Sequence, residues 1–261
     1  FFENPYRYGY FIAFLAALPA FWLLSQQRGR LLGSLALIAG GAVALAGGSR
    51  YAMLGYGLLA MVFVIVAARD LPGRQRIALL AGTPIGLSAL IALLLLVSPS
   101  LRDRIADTLI ILDGLDRTTL NLALSHRLDI WEPALALAGD HWLFGAGPSQ
   151  ITTAIKPYLP PESIYVTQNI DVMHAHQVLI EVLVGTGVIG LFCFIAYYSH
   201  LTTVAWRQRD ASTTFGWGCL LTFLLMWIPF GSQKDIYGSE KMLLSFYLLG
   251  LGFGFLRNRE T

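Results

Sequence analysis

Long apolar runs separated by short polar segments set the pattern of this chain. Seven of the runs are roughly 17 to 23 residues long, the length at which a helix crosses a hydrocarbon core of ~30 Å. The pattern therefore predicts an all-α, polytopic membrane protein with seven transmembrane helices. The runs lie near residues 9–24, 31–47, 51–68, 77–97, 178–198, 213–229 and 242–256.

A polar stretch with two histidines directly precedes the fifth run. His174 and His176 are therefore expected where a membrane helix meets water, at the N-terminal end of that helix. Such an end carries unpaired backbone N–H groups and the positive end of the helix dipole, so it attracts anions, phosphates in particular. The same field disfavours a protonated imidazole. We expect a neutral base beside an anion site here.

Composition and charge agree with a membrane protein and orient it. Hydrophobic residues make up 56% of the chain and charged residues 13%, which excludes an ordinary soluble domain. The positive-inside rule places the arginine-rich loops in the cytoplasm, and these loops alternate along the chain. The segments between them then face outward. The arginines concerned are Arg28, Arg30, Arg69, Arg74, Arg76, Arg207, Arg209, Arg257 and Arg259.

The sequence divides into three regions. Residues 1–98 carry four predicted helices, residues 99–175 form an outward-facing helical loop, and residues 176–261 carry three helices and a cytoplasmic tail. The loop is too long to be a plain connection. The chain begins without a methionine or a signal peptide, so we expect it to be the later part of a longer protein.

The loop itself is predicted to be mainly helical. We expect helices at residues 101–112 and 125–138, the second of them capped by the Ser125 hydroxyl. A segment rich in glycine and proline, residues 144–149, predicts a turn after the second helix.

Arg50 and Arg127 are candidates for binding an anion. Arg50 follows two glycines and Ser49 at an outward membrane edge, where backbone N–H groups could assist the guanidinium. The alternative is an interfacial arginine that snorkels. Arg127 would be a second phosphate clamp. Its alternative is a surface charge among Asp129 and Glu132, which the residues by themselves favour.

His176 is the candidate general base, with an interfacial histidine bonded to a carbonyl as the alternative. His174 is expected to be structural or a supporting partner. The His-x-His pair would also suit a metal, with Asp171, Glu181 or Glu162 as further ligands. None of these third ligands has a diagnostic spacing, so we expect no metal.

Glu181 interrupts the fifth apolar run. An ionised acid inside a membrane helix is costly and usually functional, so we expect it to pair with an arginine or to be protonated.

Three aromatic residues of the loop, Trp131, Trp142 and Tyr158, could stack on sugar rings. Aromatic residues at a membrane edge are, however, ordinary belt residues.

The histidine segment resembles the signature of a known superfamily. His176-Gln177-x-x-Ile180, followed by Gly187 and Gly190, is similar to the His-Asn-x-x-Leu-(x)6-Gly-x-x-Gly signature of the O-antigen ligase and polymerase superfamily. Gln177 stands where the family usually has asparagine, and Ile180 stands where it usually has leucine.

Two further motifs occur in the family's order. The Ser49-Arg50 turn resembles its Ser-Arg motif. Arg127-x-x-x-Trp131, followed by the segment HWLFGAG at residues 141–147, resembles its periplasmic-loop motif of Arg, Trp and two glycines. The resemblance covers nearly the whole chain, and the order and spacing of the motifs agree with the family.

The resemblance implies a glycosyltransferase of the bacterial inner membrane with a periplasmic active site. Family members have about a dozen helices, so about five would precede this chain. The donor would be a glycan on undecaprenyl diphosphate. The acceptor would be a sugar hydroxyl of lipid A–core in a ligase, another lipid-linked repeat in a polymerase, or a protein hydroxyl in a sister branch. The single large loop resembles the ligase branch.

The resemblance also suggests roles for the candidate residues. His176 would deprotonate the acceptor in one inverting displacement, and Arg50 and Arg127 would hold the diphosphate without a metal or another cofactor. His174, Glu181 and Ser49 would support them. A rival of another class is a lipid-linked glycan transporter, for which Glu181 and the helix prolines are the support. A third is a structural assembly protein. The sequence leaves the sugar and the oligomeric state open.

Overall fold

A computed structural model describes residues 15–23, 30–46, 50–68, 71–97, 102–103, 105–106, 109–112, 114–208, 214–228 and 239–255. All regular secondary structure in these ranges is helical, which confirms the all-α prediction. The first four helices are α1 (residues 15–23), α2 (Arg30–Ala46), α3 (Arg50–Ala68) and α4 (Gly73–Val97).

Between residues 114 and 175 the loop region has four short or medium helices, and three more helices follow it among the described residues. In the loop these are α5 (Arg117–Ala123), α6 (Leu128–Asp140), α7 (Ile151–Ala154) and α8 (Ile164–Thr167), with 3-10 turns at Ile110–Leu112 and Lys156–Tyr158. After the loop come α9 (Val178–Gln208), α10 (Thr214–Met226) and α11 (Ser239–Gly254). Each of the seven predicted apolar runs coincides with one of the helices outside the loop.

Length and apolarity single out α9. Among the described residues, only its stretch Val178–Arg207 is long and apolar enough to cross a membrane. Four shorter apolar helical stretches accompany it. They are Leu32–Leu45, Met53–Val66, Phe215–Met226 and Met242–Gly254. The number of seven transmembrane spans therefore stays a prediction.

The chain divides into two compact units. The first comprises Phe1–Ile105, Ala205–Met226 and Tyr247–Thr261. Its core joins α1, α2 and α3, and Phe21 meets Phe63 edge to face with ring centroids 6.0 Å apart. The buried Tyr56 hydroxyl donates to the Leu37 carbonyl at 2.7 Å and lies over Gly40, where a β-carbon would overlap the tyrosine.

The second unit comprises Ala106–Val204 and Trp227–Phe246. Its core forms around one stripe of α6, in which Ile130, Ala134 and Leu137 recur at helical spacing and are fully buried. Val184 of α9 packs into the same core. The loop and the beginning of α9 are therefore one folded body.

The loop differs from its prediction at the start of α6. The helix begins at Leu128, because Ser125 and His126 adopt left-handed conformations with φ of 56° and 60°. The predicted Ser125 cap is therefore wrong: Arg127 occupies the N-cap position and makes no side-chain capping bond. The predicted turn at residues 144–149 is confirmed. Of the predicted helix at 101–112, only parts lie within the described residues.

The short helix α5 was not predicted from the sequence. Its N-cap is Asp116, whose carboxylate accepts the backbone N–H groups of Thr118 and Thr119. The hydrogen bonds from Thr119 hold the pKa of this carboxyl below its usual value.

Candidate functional site

His176 lies in the turn that leads into α9. Its backbone is left-handed, with φ of 56°, which is uncommon for a residue with a β-carbon. The imidazole rings of His174 and His176 are tilted against each other with centroids 3.9 Å apart. The Nε2 atom of His174 is shielded from solvent. The two half-buried histidines thus form one packed pair directly before the helix.

Ala175, between the two histidines, is held through both of its backbone polar groups. Its N–H donates to the Glu181 carboxylate, and its carbonyl accepts the indole N–H of Trp131 at 2.8 Å. Ala175 is fully buried, and Glu181 is only 5% exposed. A hydrogen bond inside a shielded site of low dielectric is stronger than the same bond in water. Glu181 and Trp131 therefore fix the turn that presents His176.

The start of α9 agrees with its prediction at Val178. Gln177 caps the helix: its side-chain oxygen accepts the backbone N–H of Ile180 at 2.6 Å, and its carbonyl accepts the N–H of Glu181 at 2.9 Å. The capping role explains how glutamine can stand where the family signature has asparagine. It also means that the N–H of Ile180 is engaged by the protein rather than directed at an anion.

Arg127 lies at the N-terminus of α6, one helical turn before Trp131. The Arg127 carbonyl accepts the backbone N–H of Trp131 at 2.8 Å. Trp131 in turn donates its indole N–H to the Ala175 carbonyl. The charge of Arg127 also reaches Tyr165. Burial and the charge of Asp129 raise the pKa of the Tyr165 hydroxyl, whereas Arg127 lowers it. Trp131 thus links α6, whose N-cap is Arg127, to the turn that contains His176.

The carboxylates proposed as surface partners of Arg127 pair with another arginine. Arg117 contacts Glu132 at 2.7 Å and Asp129 at 3.4 Å. The buried Asp129 also accepts a hydrogen bond from Asn121 at 2.8 Å. Arg117 therefore neutralises part of the negative charge around Arg127.

A second contact joins the loop to α9 at a break in the helix. Gly187 has φ of 66° and ψ of −167°, so the helix is interrupted there. The loop takes over the lost backbone bonds: Ala146 donates to the Val184 carbonyl at 2.7 Å, and Val188 donates to the Trp142 carbonyl at 2.8 Å. A β-carbon on Gly187 would overlap the backbone of Leu143.

Gly145 faces the same junction from the side of the loop. Its φ is 74°, and a β-carbon there would collide with the backbone of Gly185 and Thr186. Gly145 of the loop motif and Gly187 of the histidine signature are therefore needed for one purpose, the close approach of two backbones. Sequence reasoning found these glycines as a pattern but not this role.

The other candidates are placed as follows. Arg50 is the first residue of α3, and its side chain and Ser49 lie outside the described part of the structure. Its convergence with His176 stays a prediction.

Tyr158 donates its hydroxyl to Asp140 at 2.6 Å, which raises the Tyr158 pKa. Among the described residues, no three His, Cys, Asp or Glu side chains are grouped as a metal site requires.

Comparison with known proteins bears on the identity of the chain. A family model described as O-antigen ligase matches residues 33–195, which is more than half of the chain. The chain belongs to the O-antigen ligase family. A comparison with curated proteins found no match for the chain. Members of this family are membrane-bound and carry out glycan transfer of the ligase and polymerase type on lipid-linked glycans.

The family match includes every element of the candidate site. It extends from α2 through the loop to Ile195 of α9, and so contains Arg50, Arg127, the segment 141–147 and His176. The family assignment made from these motifs is thereby confirmed. Sequence reasoning missed the bonds of Trp131 and Glu181 to Ala175. The only signal for them was an acid in an apolar run one turn after the histidines.

Proposed function

We propose that this protein transfers O-antigen glycan from undecaprenyl diphosphate to a sugar hydroxyl of lipid A–core on the periplasmic side of the inner membrane. The observation that carries the proposal is the buried clamp of Trp131 and Glu181 on Ala175, because it presents His176 on a rigid turn at the start of the apolar helix α9. A catalytic base needs such a supported position.

His176 acts as the general base in this proposal. It removes the proton from the acceptor hydroxyl while the hydroxyl oxygen attacks C1 of the donor sugar. The C1–O bond to the diphosphate breaks as the new glycosidic bond forms, and the diphosphate leaves with the bonding electrons. A single displacement inverts the configuration at C1. His174, whose ring is tilted against that of His176, orients the imidazole.

Arg50 and Arg127 hold the diphosphate. Negative charge grows on the leaving group as the C1–O bond breaks, and guanidinium groups that are already in place stabilise that growth. The planar guanidinium pairs with two phosphate oxygens and stays charged, so two arginines can replace a metal ion. Ser49 assists Arg50 in this proposal.

Glu181 is a positioning residue, and its substitution gives a graded prediction. Glu181→Ala leaves the buried N–H of Ala175 without its acceptor, so we expect a loss of about 1–3 kcal/mol in unfolding free energy and a marked fall in kcat. Glu181→Gln keeps an acceptor oxygen and should recover much of both. Thermal unfolding and initial transfer rates measure the two effects.

The contrast between the two Glu181 variants separates positioning from other roles. Equal loss in the glutamine and alanine variants would mean that the carboxylate charge, rather than the hydrogen bond to Ala175, is what matters. Full activity of the alanine variant would remove Glu181 from the site. Glu162→Ala, at an exposed acid of the same loop, is the matched control and should behave as wild type.

Product analysis tests the function directly. The full-length protein, reconstituted in vesicles, is incubated with an undecaprenyl-diphosphate-linked glycan and either lipid A–core or a second lipid-linked glycan. We expect glycosylated lipid A–core, formed at the same rate with and without EDTA. Longer lipid-linked glycan instead would identify a polymerase, and movement of donor across the membrane without any product would identify a transporter. Inhibition by EDTA would contradict metal-independent chemistry.

A further inference from the structure

The exposure of side chains changes abruptly along α9. From Val178 to Gly187 every side chain is buried or half-buried. Directly after the break, apolar side chains turn outward: Val188, Ile189, Phe192 and Ile195 are exposed, Phe192 to 74%. An exposed apolar face on a membrane helix is the surface that meets lipid.

The segment 141–147, hereafter the aromatic loop, joins α9 at this point of change. Its Trp142 carbonyl and Ala146 N–H bond the helix on both sides of Gly187. Two of its aromatic side chains point away from the protein: Trp142 is 59% exposed and Phe144 is 73% exposed. The aromatic loop therefore continues the exposed apolar surface that begins at Val188.

The depth of the junction is given by the helix itself. Val184 and Val188 lie six and ten residues after Val178, which corresponds to about 9–15 Å along an α-helix. Both lie within the stretch Val178–Arg207 that is long and apolar enough to span a membrane. The aromatic loop is thus attached within the apolar stretch and not at its polar end.

The backbone of the aromatic loop is suited to that depth. Irregular backbone is tolerated at membrane level only where its polar groups are satisfied by protein. Gly145 donates to the His141 carbonyl at 2.8 Å, Ala146 donates to Val184, and the Trp142 carbonyl accepts from Val188. These bonds remove polar groups that lipid could not satisfy.

We propose that the aromatic loop inserts into the bilayer beside the first third of α9, with Trp142 and Phe144 in contact with lipid. The occupant of this surface is membrane lipid, because the surface is continuous with the lipid-facing side of α9 and carries the aromatic residues that favour the region beneath the headgroups. The inserted loop fixes the folded unit of the periplasmic loop at a set height above the membrane.

Fluorescence with depth-dependent quenching tests the insertion. In full-length protein with every native cysteine replaced by alanine, Phe144→Cys is labelled with an environment-sensitive nitrobenzoxadiazole probe. The protein is reconstituted in vesicles of phosphatidylethanolamine and phosphatidylglycerol containing lipids with a nitroxide on the acyl chain. We expect blue-shifted emission and strong quenching, as for the same probe at Phe192→Cys on the exposed face of α9.

Glu162→Cys, at an exposed position in the same unit, is the aqueous control. Its emission should be red-shifted and unaffected by the nitroxide lipids. Emission and quenching at position 144 that match this control would overturn the insertion. If Trp142→Cys, labelled in the same way, also matched the aqueous control, the result could not be attributed to the substitution at position 144 alone. Size-exclusion profiles equal to that of the parent protein establish that the labelled variants are folded.

Discussion

Replacing His176 is expected to lower the rate of glycan transfer by about 10²–10⁴-fold, the usual contribution of a positioned base. Two variants, His176→Ala and His176→Asn, separate the loss of the base from strain in the backbone. Alanine removes the imidazole but is disfavoured in the left-handed conformation that His176 adopts, with φ of 56°. Asparagine tolerates that conformation, provides a hydrogen-bonding group and cannot act as a base. His176→Asn should therefore fold as the parent protein does and still lose transfer.

The controls for His176 separate chemistry from folding. His200→Asn changes an exposed histidine of α9, the helix that follows the His176 turn, and should leave the rate unchanged. Initial rates are measured with lipid-linked donor, and thermal unfolding is measured for each variant. A fully active His176→Asn protein would remove His176 as the base. A protein that unfolds early would instead assign the histidine to the structure of the turn.

Gly187→Ala is expected to lower the free energy of unfolding by about 3 kcal/mol or more. The conformation of Gly187, with φ of 66° and ψ of −167°, is one that only glycine adopts readily, at a cost of about 1–3 kcal/mol for other residues. The added β-carbon would also overlap the backbone of Leu143 and Phe144. Relief of that overlap separates the aromatic loop from α9 and breaks the bonds of Ala146 and Val188.

Gly139→Ala is the matched control for Gly187. Gly139 lies inside α6 in the same unit, and a β-carbon there meets nothing within 4 Å. Alanine should be neutral or stabilising by about 0.5–1 kcal/mol at this position, because glycine lowers helix stability. Thermal unfolding of the purified proteins in one detergent compares the two variants. Equal stability of Gly187→Ala and Gly139→Ala would mean that the junction does not hold the loop.

The elements of this fold follow from local pattern, and for that reason the sequence predicts them well. Each apolar run coincides with a helix, and α9 starts at Val178 as expected. The start of α6 was misplaced because Ser125 is a good cap by residue type alone. Its left-handed turn depends on neighbours, including the bond from the His126 N–H to the Asn121 carbonyl.

The candidate site was only partly predictable, since its supports join distant parts of the chain. Trp131 and Ala175 are 44 residues apart, and no local pattern indicates their hydrogen bond. The break at Gly187 likewise needs the loop at Leu143, which lies far away in sequence. The residue types at His176 and Arg127 suggested chemistry, whereas Glu181 gained a definite role only through its bond to Ala175.

The central claim is that Arg50, Arg127 and His176 converge on one diphosphate at the periplasmic face, and cross-linking tests it most directly. In cysteine-free full-length protein, Arg50→Cys is paired with Arg127→Cys, or with Glu162→Cys as the control, and treated with a short thiol-specific cross-linker. We predict a cross-link between positions 50 and 127, and none for the control pair. No cross-link between positions 50 and 127, or labelling of position 50 by an impermeant reagent from the cytoplasmic side only, would contradict the convergence.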